Sequence, residues 1–282
     1  MVRTSPHALT GVRYGAAIAP SDNPPRRGVW LFPVDPVDDL LAAVVRADEA
    51  GLDEVWIADE GVSREPMIVL AAAARETTRI RLGVGITSPA LRHPGALAAS
   101  ISTLDELSGG RAMLGLGVGG ELSLDPFGIT VERRVGMVRD AVRTVHDVLG
   151  GHESERYRPP PHASPPRPVP VFIGSRGEQT LRMASREADG VFLSGLPDHL
   201  LDDAFTWARS GRPIDVALYQ SVRFRPDAVE APSFMCGDPA SVAPRLRALA
   251  DRWSPTSIGI ALVDGDPVAA MLERAIETFA LL

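Results

Sequence analysis

The sequence contains no lysine, and arginine supplies all 29 of its basic residues. This absence excludes mechanisms that need a lysine amine, such as Schiff-base catalysis or a P-loop that binds phosphate. The 36 acidic residues outnumber the basic ones, and the formal net charge is −7. Because no basic run offsets that charge, we expect no binding to nucleic acid.

Cysteine is nearly absent too, since Cys236 is the single one among 282 residues. One thiol excludes an internal disulfide framework, and it is typical of a reducing compartment. The histidines show no metal-ligand spacing, so we expect no metal site. No apolar run reaches the ~18 residues of a membrane span, and the N-terminal segment does not resemble a signal peptide. We therefore expect a cytoplasmic protein that does not bind a membrane.

Short apolar segments alternate with amphipathic ones along the chain, and there are eight of each. Most of the apolar segments are continuous rather than alternating, which is typical of parallel strands buried on both faces. The predicted strands are 14–19, 54–58, 79–86, 111–118, 169–173, 189–194, 214–222 and 257–263. The predicted helices are 37–50, 64–77, 94–107, 131–149, 177–187 and 198–209, with two more that start at Asp238-Pro239 and Asp266-Pro267.

Eight strand–helix units favour a (β/α)8 barrel of the TIM type. A doubly wound open sheet is the alternative, because strand order cannot be inferred from one sequence. Two proline-rich segments, 20–36 and 151–168, are predicted to be irregular. The second is either a surface loop or a lid over the site.

In such a barrel, chemistry takes place in the loops that follow the strands. Asp59 and Glu60 end the second strand. A carboxylate at this position can act as a general acid or base, or it can accept hydrogen bonds from the backbone amides of the loop. His93 precedes a helix, where it either transfers a proton or has a structural role.

Two glycine-rich loops are candidates for ligand binding. GLGVGG at 115–120 matches a dinucleotide-binding fingerprint. Such a fingerprint should open a helix at once, but a proline-containing loop follows it here. We therefore interpret these glycines as residues that let a flat ligand approach the backbone. GSRGE at 174–178 opens a helix and carries Arg176, and this combination suits an anion, with Ser194 and Gly195 as a second contact. The alternative for the second loop is a plain helix cap with a solvated arginine.

Four segments carry a family resemblance: DEVWIADE (53–60), RIRLGVGITSPALRHP (79–94), LAASISTLDELSGGRAMLGLGVGG (97–120) and VPVFIGSRGEQTLRMASREADGVFLSG (169–195). The chain resembles the luciferase-like monooxygenase superfamily, whose barrels use a flavin or a deazaflavin. It is most similar to the branch of the methylenetetrahydromethanopterin reductases that depend on coenzyme F420. The resemblance implies one bacterial luciferase-like barrel domain over 1–282, with a shortened insertion after the seventh strand, and a homodimer formed through the first helices.

The resemblance also implies a cofactor site. It places a cis peptide bond at Gly85-Ile86 behind the deazaflavin ring, and the cofactor phosphate at the loops of Gly174–Gly177 and Ser194-Gly195. Basic residues near Arg92, Arg176 or Arg182 would suit the acidic tail of F420. The candidate cofactor-binding residues are Asp59, Gly85, Ile86, Thr87, Ser88, Gly119, Gly120, Gly174, Ser175, Arg176, Gly177, Ser194 and Gly195.

The implied function is F420-dependent hydride transfer between the cofactor and a small organic substrate. Glu60, His93 and Glu121 are the candidate catalytic residues, as proton donors or acceptors. One alternative is a monooxygenase that uses FMN and receives it reduced from a separate flavin reductase. The other is a degenerate barrel kept as a binding or structural module.

Overall fold

Eight parallel strands close into a barrel in the computed structural model, which describes residues 24–225, 231–263 and 265–282. The first strand pairs with the second and the last, and the sixth pairs with the seventh, so the ring has no open edge. In chain order the strands are β1 (Arg26–Leu31), β2 (Glu54–Ile57), β3 (Arg81–Thr87), β4 (Ala112–Leu116), β5 (Val171–Gly174), β6 (Gly190–Ser194), β7 (Asp215–Arg223), β8 (Phe234–Cys236) and β9 (Ser257–Leu262). Strand β8 lies outside the ring and pairs with the end of β7.

The TIM-type barrel predicted from the sequence is confirmed, and the open sheet is excluded. Helices surround the barrel, and each of the eight predicted ones is present within a few residues of its expected bounds. The nine helices of the described residues are α1 (Val37–Glu49), α2 (Pro66–Glu76), α3 (Pro94–Ser108), α4 (Glu121–Leu124), α5 (Arg134–Gly150), α6 (Glu178–Glu187), α7 (Asp198–Ala208), α8 (Pro239–Trp253) and α9 (Val268–Ala280). The short helix α4 and the 3₁₀ turn at Asp125–Phe127 are additions to the prediction.

The first barrel strand is not where the sequence predicts it. The predicted strand 14–19 lies outside the described residues, and residues 26–31, assigned to a loop, form β1. Two arginines at the start of this strand and prolines on both sides hide its apolar half, Val29–Leu31, from pattern analysis. The first of these arginines, Arg26, pairs with the carboxylates of Glu54 and Asp215, so the strand can begin with a charged residue.

The two predicted Asp-Pro helix starts have different outcomes. The Asp-Pro start is confirmed at α8, where the Asp238 side chain accepts a hydrogen bond from the Ser241 N–H at 2.9 Å. At the second such site the N-cap is Pro267, and Asp266 instead pairs with Arg225.

The hypothesis that segment 151–168 is a lid is wrong. This segment joins the end of α5 to the start of β5, so it lies at the N-terminal pole of the barrel. Arg167 holds it there through its backbone N–H to the Leu149 carbonyl and through its side chain to Asp105. The carboxyl ends of the strands, where a site is expected, are at the opposite pole.

Aromatic side chains fill the middle of the barrel. Trp56, Phe172, Phe192 and Tyr219 are almost completely buried, and the rings of Phe192 and Tyr219 stack with centroids 4.7 Å apart. Glycines on neighbouring strands make room for these rings, since a Cβ atom on Gly259 would collide with Tyr219. The aliphatic residues between the strands and the helices form a second, outer core.

A buried ionic cluster closes the N-terminal pole. Glu54, whose exposed fraction is 1%, accepts hydrogen bonds from Tyr219 at 2.8 Å and from Arg26 at 3.2 Å. It also contacts Arg81 at 3.4 Å, and Arg26 reaches on to Asp215 at 2.8 Å. Burial and the negative charge of Glu54 raise the pKa of Tyr219 well above its usual value. The cluster therefore links the first residues of β1, β2, β3 and β7.

We predict that Glu54→Gln lowers the free energy of unfolding by about 3–5 kcal/mol, because it leaves two arginines without their shared counter-charge. Urea denaturation followed by circular dichroism measures this loss. The control is Glu76→Gln at the exposed end of α2, which should change stability by less than about 0.5 kcal/mol. Equal losses of stability in the two variants would contradict the stabilising role of Glu54 in this cluster.

Candidate functional site

The loops after five neighbouring strands bring the predicted cofactor residues to one end of the barrel. Asp59 follows β2, and Ser88 follows β3. Gly119 and Gly120 follow β4, the loop from Ser175 to Gly177 follows β5, and Gly195 follows β6. In the described part of the chain no cluster of side chains has the makeup of a metal site, and no helix has the length and apolar character needed to cross a membrane.

Asp59 joins the ends of β2 and β3. Its Oδ2 atom accepts hydrogen bonds from the Thr87 hydroxyl at 2.6 Å and from the Arg92 Nε at 3.2 Å. Its Oδ1 atom accepts from the backbone N–H of Gly61 at 3.3 Å. Arg92 also reaches Glu65 at 2.8 Å. The buried carboxylate therefore positions the loop. This is the capping role, one of the two alternatives that the sequence offered for it.

Glu60, the next residue, has a different environment. It is half-buried, and burial together with the negative charge of Asp59 raises the pKa of its carboxyl. A carboxyl with a raised pKa keeps its proton closer to neutral pH, where it can serve in acid–base catalysis.

The end of β3 has an unusual backbone. The Gly85-Ile86 peptide bond is cis, as the family resemblance implies. The Trp30 Nε1–H donates a hydrogen bond to the Gly85 carbonyl at 2.5 Å. The Ile86 side chain lies against the neighbouring strands, because a Cβ atom on Gly115 would be 2.7 Å from Ile86 Cγ2, and one on Gly117 would be 2.5 Å from Ile86 Cδ1.

This packing explains the glycine-rich run after β4. A side chain at Gly115 or Gly117 would collide with Ile86, and so would one at Gly174 on β5. The match to a dinucleotide fingerprint is therefore coincidental, as the sequence indicated. The room at Gly115 and Gly117 is taken by protein, whereas a Cβ atom on Gly120 would meet nothing within 4 Å. Exposed Gly120 therefore borders open space at the end of β4.

The two hydroxyls predicted to contact a cofactor are engaged within the protein. Thr87 donates to Asp59, and Ser88 donates to the Val118 carbonyl at 2.6 Å. Ser88 also accepts from the backbone N–H of Ala90 at 3.1 Å. Both residues are buried, so they support the strand ends that surround the site.

The loop predicted to bind an anion lies where α6 begins. Its N-cap is Gly177, which has no side chain to satisfy the first backbone N–H groups of the helix. Arg176 extends across to the next loop, because a Cβ atom on Gly195 would be 3.1 Å from its Nη2 atom and 3.8 Å from the Ser221 hydroxyl. Among the described residues, exposed Arg176 has no ion pair or hydrogen bond. Ser175 accepts from the Gly177 N–H at 3.2 Å, which holds the loop in place.

The other two catalytic candidates are more exposed than Glu60. The Nδ1 atom of His93 accepts a hydrogen bond from the Gly95 N–H at 3.1 Å, so this histidine caps α3. Glu121 is the exposed first residue of α4. That helix packs beside the β2 end, since the Ser123 hydroxyl reaches the Asp59 carbonyl at 3.5 Å.

Two site residues were missed in the sequence. Trp30 lies in the segment assigned to a loop, and its signal was the apolar WLF run between prolines. Ser221 lies on β7 two residues after Tyr219, which faces the barrel interior, so strand alternation alone would have directed it to the same face.

Comparisons with known proteins agree on one family. The family model described as luciferase-like monooxygenase matches residues 14–233. A 5,10-methylenetetrahydromethanopterin reductase from Methanolobus tindarius is 29% identical over 266 residues, which cover 86% of this chain and 81% of that protein. An F420-dependent glucose-6-phosphate dehydrogenase from Nakamurella multipartita is 30% identical over 203 residues, which cover 63% of this chain and 60% of that protein.

A solved structure supports the same fold. The coenzyme F420-dependent tetrahydromethanopterin reductase from Methanopyrus kandleri superposes with a TM-score of 0.77, covering 92% of this chain and 99% of that one. The two sequences are 21% identical, so this likeness concerns the fold.

Proposed function

This chain belongs to the luciferase-like monooxygenase family, and we propose that it is a coenzyme F420-dependent oxidoreductase acting on a small organic substrate. The observation that carries the proposal is Arg176, which faces Gly195 at an uncapped helix N-terminus. Two of the similar proteins described above depend on F420 by name. One barrel domain over residues 1–282 is part of the proposal.

The residues at the strand ends fit such a cofactor. Arg176 and the first N–H groups of α6 would hold its phosphate, because both supply positive charge to an anion. The open space at Gly120 leaves room at the end of β4, while Ile86 fills the floor below. Arg92 and Arg182 suit the acidic tail less well than the sequence suggested, because Arg92 pairs with Asp59 and Arg182 with Glu178.

The protein supplies orientation and a proton to the chemistry. When bound, coenzyme F420 accepts or delivers a hydride at a ring carbon. Glu60 would give a proton to the substrate in the reducing direction and take one in the oxidising direction, since its raised pKa suits both. Asp59 would hold the loop that carries Glu60. His93 and Glu121 remain candidates for proton transfer, but Glu60 is favoured by its burial and its neighbour.

We predict that Arg176→Ala weakens F420 binding at least tenfold, because it removes an unpaired guanidinium from the phosphate. A fluorescence titration of the purified protein with F420 measures this change. The deazaflavin riboside that lacks the phosphate should bind both proteins equally. The control is Arg186→Ala at the exposed far end of α6, which should bind F420 within twofold of the wild type.

The same titration with FMN separates the alternatives. Tighter binding of FMN than of F420, with oxygen consumption in the presence of reduced FMN, would replace the proposal with a monooxygenase fed by a flavin reductase. Binding of neither cofactor would leave the barrel as a binding or structural module. Equal F420 affinity in Arg176→Ala and the wild type would contradict the phosphate site.

We predict that Glu60→Gln lowers kcat by about 10²–10⁴-fold, the usual contribution of a general acid or base. A substrate is first identified by screening alcohols, sugar phosphates and pterins through F420 absorbance. In the wild type, substrate reduction should slow as the pH rises through the raised pKa of Glu60, and substrate oxidation should slow as the pH falls through it.

The pH profile distinguishes proton transfer from a structural effect. Glu60→Gln should lose the part of the pH–rate profile that titration of Glu60 produces. The exposed control variant, Glu132→Gln, should keep it. His93→Asn retains a residue that caps α3 well, so it tests the imidazole alone. A full loss of activity in His93→Asn with normal activity in Glu60→Gln would transfer the role to His93.

We also propose that the chain is a cytoplasmic homodimer. Large apolar side chains are exposed on the first helices, with Val37 of α1 45% exposed and Ile68 of α2 70% exposed. A dimer formed through the first helices would cover these two side chains. Sedimentation equilibrium should give about twice the chain mass of 30.1 kDa, and the mass of one chain would contradict the dimer.

A further inference from the structure

Arg223 is a cation without a carboxylate partner at the carboxyl pole of the barrel. It is the half-buried last residue of β7, and its side chain makes no ion pair or hydrogen bond with any residue that the structure describes. Other arginines near this pole are paired, since Arg225 contacts Asp266 at 2.9 Å, Arg92 contacts Asp59 and Arg182 contacts Glu178. A partly buried guanidinium without a counter-charge favours an anion that comes from outside the protein.

The ring of Phe234 holds the Arg223 side chain in place. The guanidinium carbon lies over this ring, 4.4 Å from its centroid. Phe234 belongs to β8, where it pairs in register with Ser221, and the Gly237 N–H donates to the Arg223 carbonyl at 3.1 Å. Stacking on a ring engages the face of a guanidinium and leaves the N–H donors at its edge available. Arg223 is therefore oriented before any ligand binds.

Arg223 lies on the same face of β7 as Ser221, which borders the proposed phosphate loop. A Cβ atom on Gly195 would be 3.8 Å from the Ser221 hydroxyl and 3.1 Å from Nη2 of Arg176. Strand alternation gives Arg223 the direction of Ser221, and the two residues are about 7 Å apart along the strand. Arg223 thus follows the proposed phosphate position toward the outer edge of the pole.

We propose that Arg223 binds the acidic tail of coenzyme F420, an inference that rests on the proposed function. This tail consists of glutamate residues and follows the cofactor phosphate. With the phosphate at Arg176 and at the first N–H groups of α6, a tail carboxylate would accept hydrogen bonds from the Arg223 guanidinium. Phe234 would be a positioning residue for that contact. FMN carries a phosphate without such a tail, so Arg223 would also favour F420 over FMN.

Two ligands that differ in the tail test this contact. One is F420, and the other is the deazaflavin riboside 5′-phosphate, which keeps the ring and the phosphate but has no tail carboxylate. In fluorescence titrations of the full chain, Arg223→Gln should weaken F420 binding about fivefold or more, because it removes a charge-assisted hydrogen bond. The same variant should bind the riboside phosphate within twofold of the wild type, whereas Arg176→Ala should weaken the binding of both ligands.

Two further variants separate the contact from general effects of charge and folding. Arg156→Gln removes an exposed arginine at the opposite pole, and it should bind both ligands within twofold of the wild type. Phe234→Leu keeps the charge of Arg223 and removes the ring beneath it, so F420 affinity should fall about twofold to fivefold while riboside phosphate binding is kept.

The outcomes that overturn the inference differ from those that overturn the proposed function. Unchanged F420 affinity in Arg223→Gln, or equal losses for F420 and the riboside phosphate, would overturn the inference alone. An absence of binding of both ligands to the wild type would overturn the proposed function and the inference together.

Discussion

The closed ring of strands has to fill its own interior, and this constraint governs the rest of the structure. Inward-facing positions alternate with outward-facing ones on every strand, so each large ring inside needs a small residue opposite it. Tyr219 against Gly259 is one such pair, and Trp56 against Gly83 is another. The glycines in these strands are therefore part of the packing, although they weaken strand propensity when considered alone.

The same constraint gives the two poles of the barrel opposite characters. At the N-terminal pole the interior is filled by charges that satisfy one another, with Glu54 shared by Arg26, Arg81 and Tyr219. Glu54 is central to this cluster, because its removal would leave Arg26 and Arg81 without their shared counter-charge. At the carboxyl pole Ile86 packs against Gly115, Gly117 and Gly174, and the loops beyond it form the proposed cofactor site. The stabilising cluster and the proposed site thus lie at opposite ends of the barrel axis.

At the carboxyl pole two adjacent carboxyls have different tasks. Asp59 is surrounded by donors, namely the Thr87 hydroxyl, the Arg92 guanidinium and the Gly61 N–H. Glu60 lacks such donors among the described residues and is affected mainly by burial and by the charge of Asp59. One carboxylate therefore holds the loop, and the other is left with a raised pKa. Arg176, in the loop after β5, has no ion pair among the described residues, whereas Arg92 and Arg182 are paired with carboxylates.

The sequence by itself determined the barrel class and most of its elements. Buried strands are continuous apolar runs and surface helices are amphipathic, and both patterns are local features of the sequence. It also determined which loops meet, since the carboxyl ends of parallel strands share one pole. The first strand was missed because the reason for Arg26 and Arg27 lies in Glu54 and Asp53, more than 20 positions along the chain. Only the tertiary structure decided that segment 151–168 lies at the pole opposite the proposed site and that Gly115 and Gly117 make room for Ile86. Each of these depends on contacts between residues distant in sequence, and no local pattern records them.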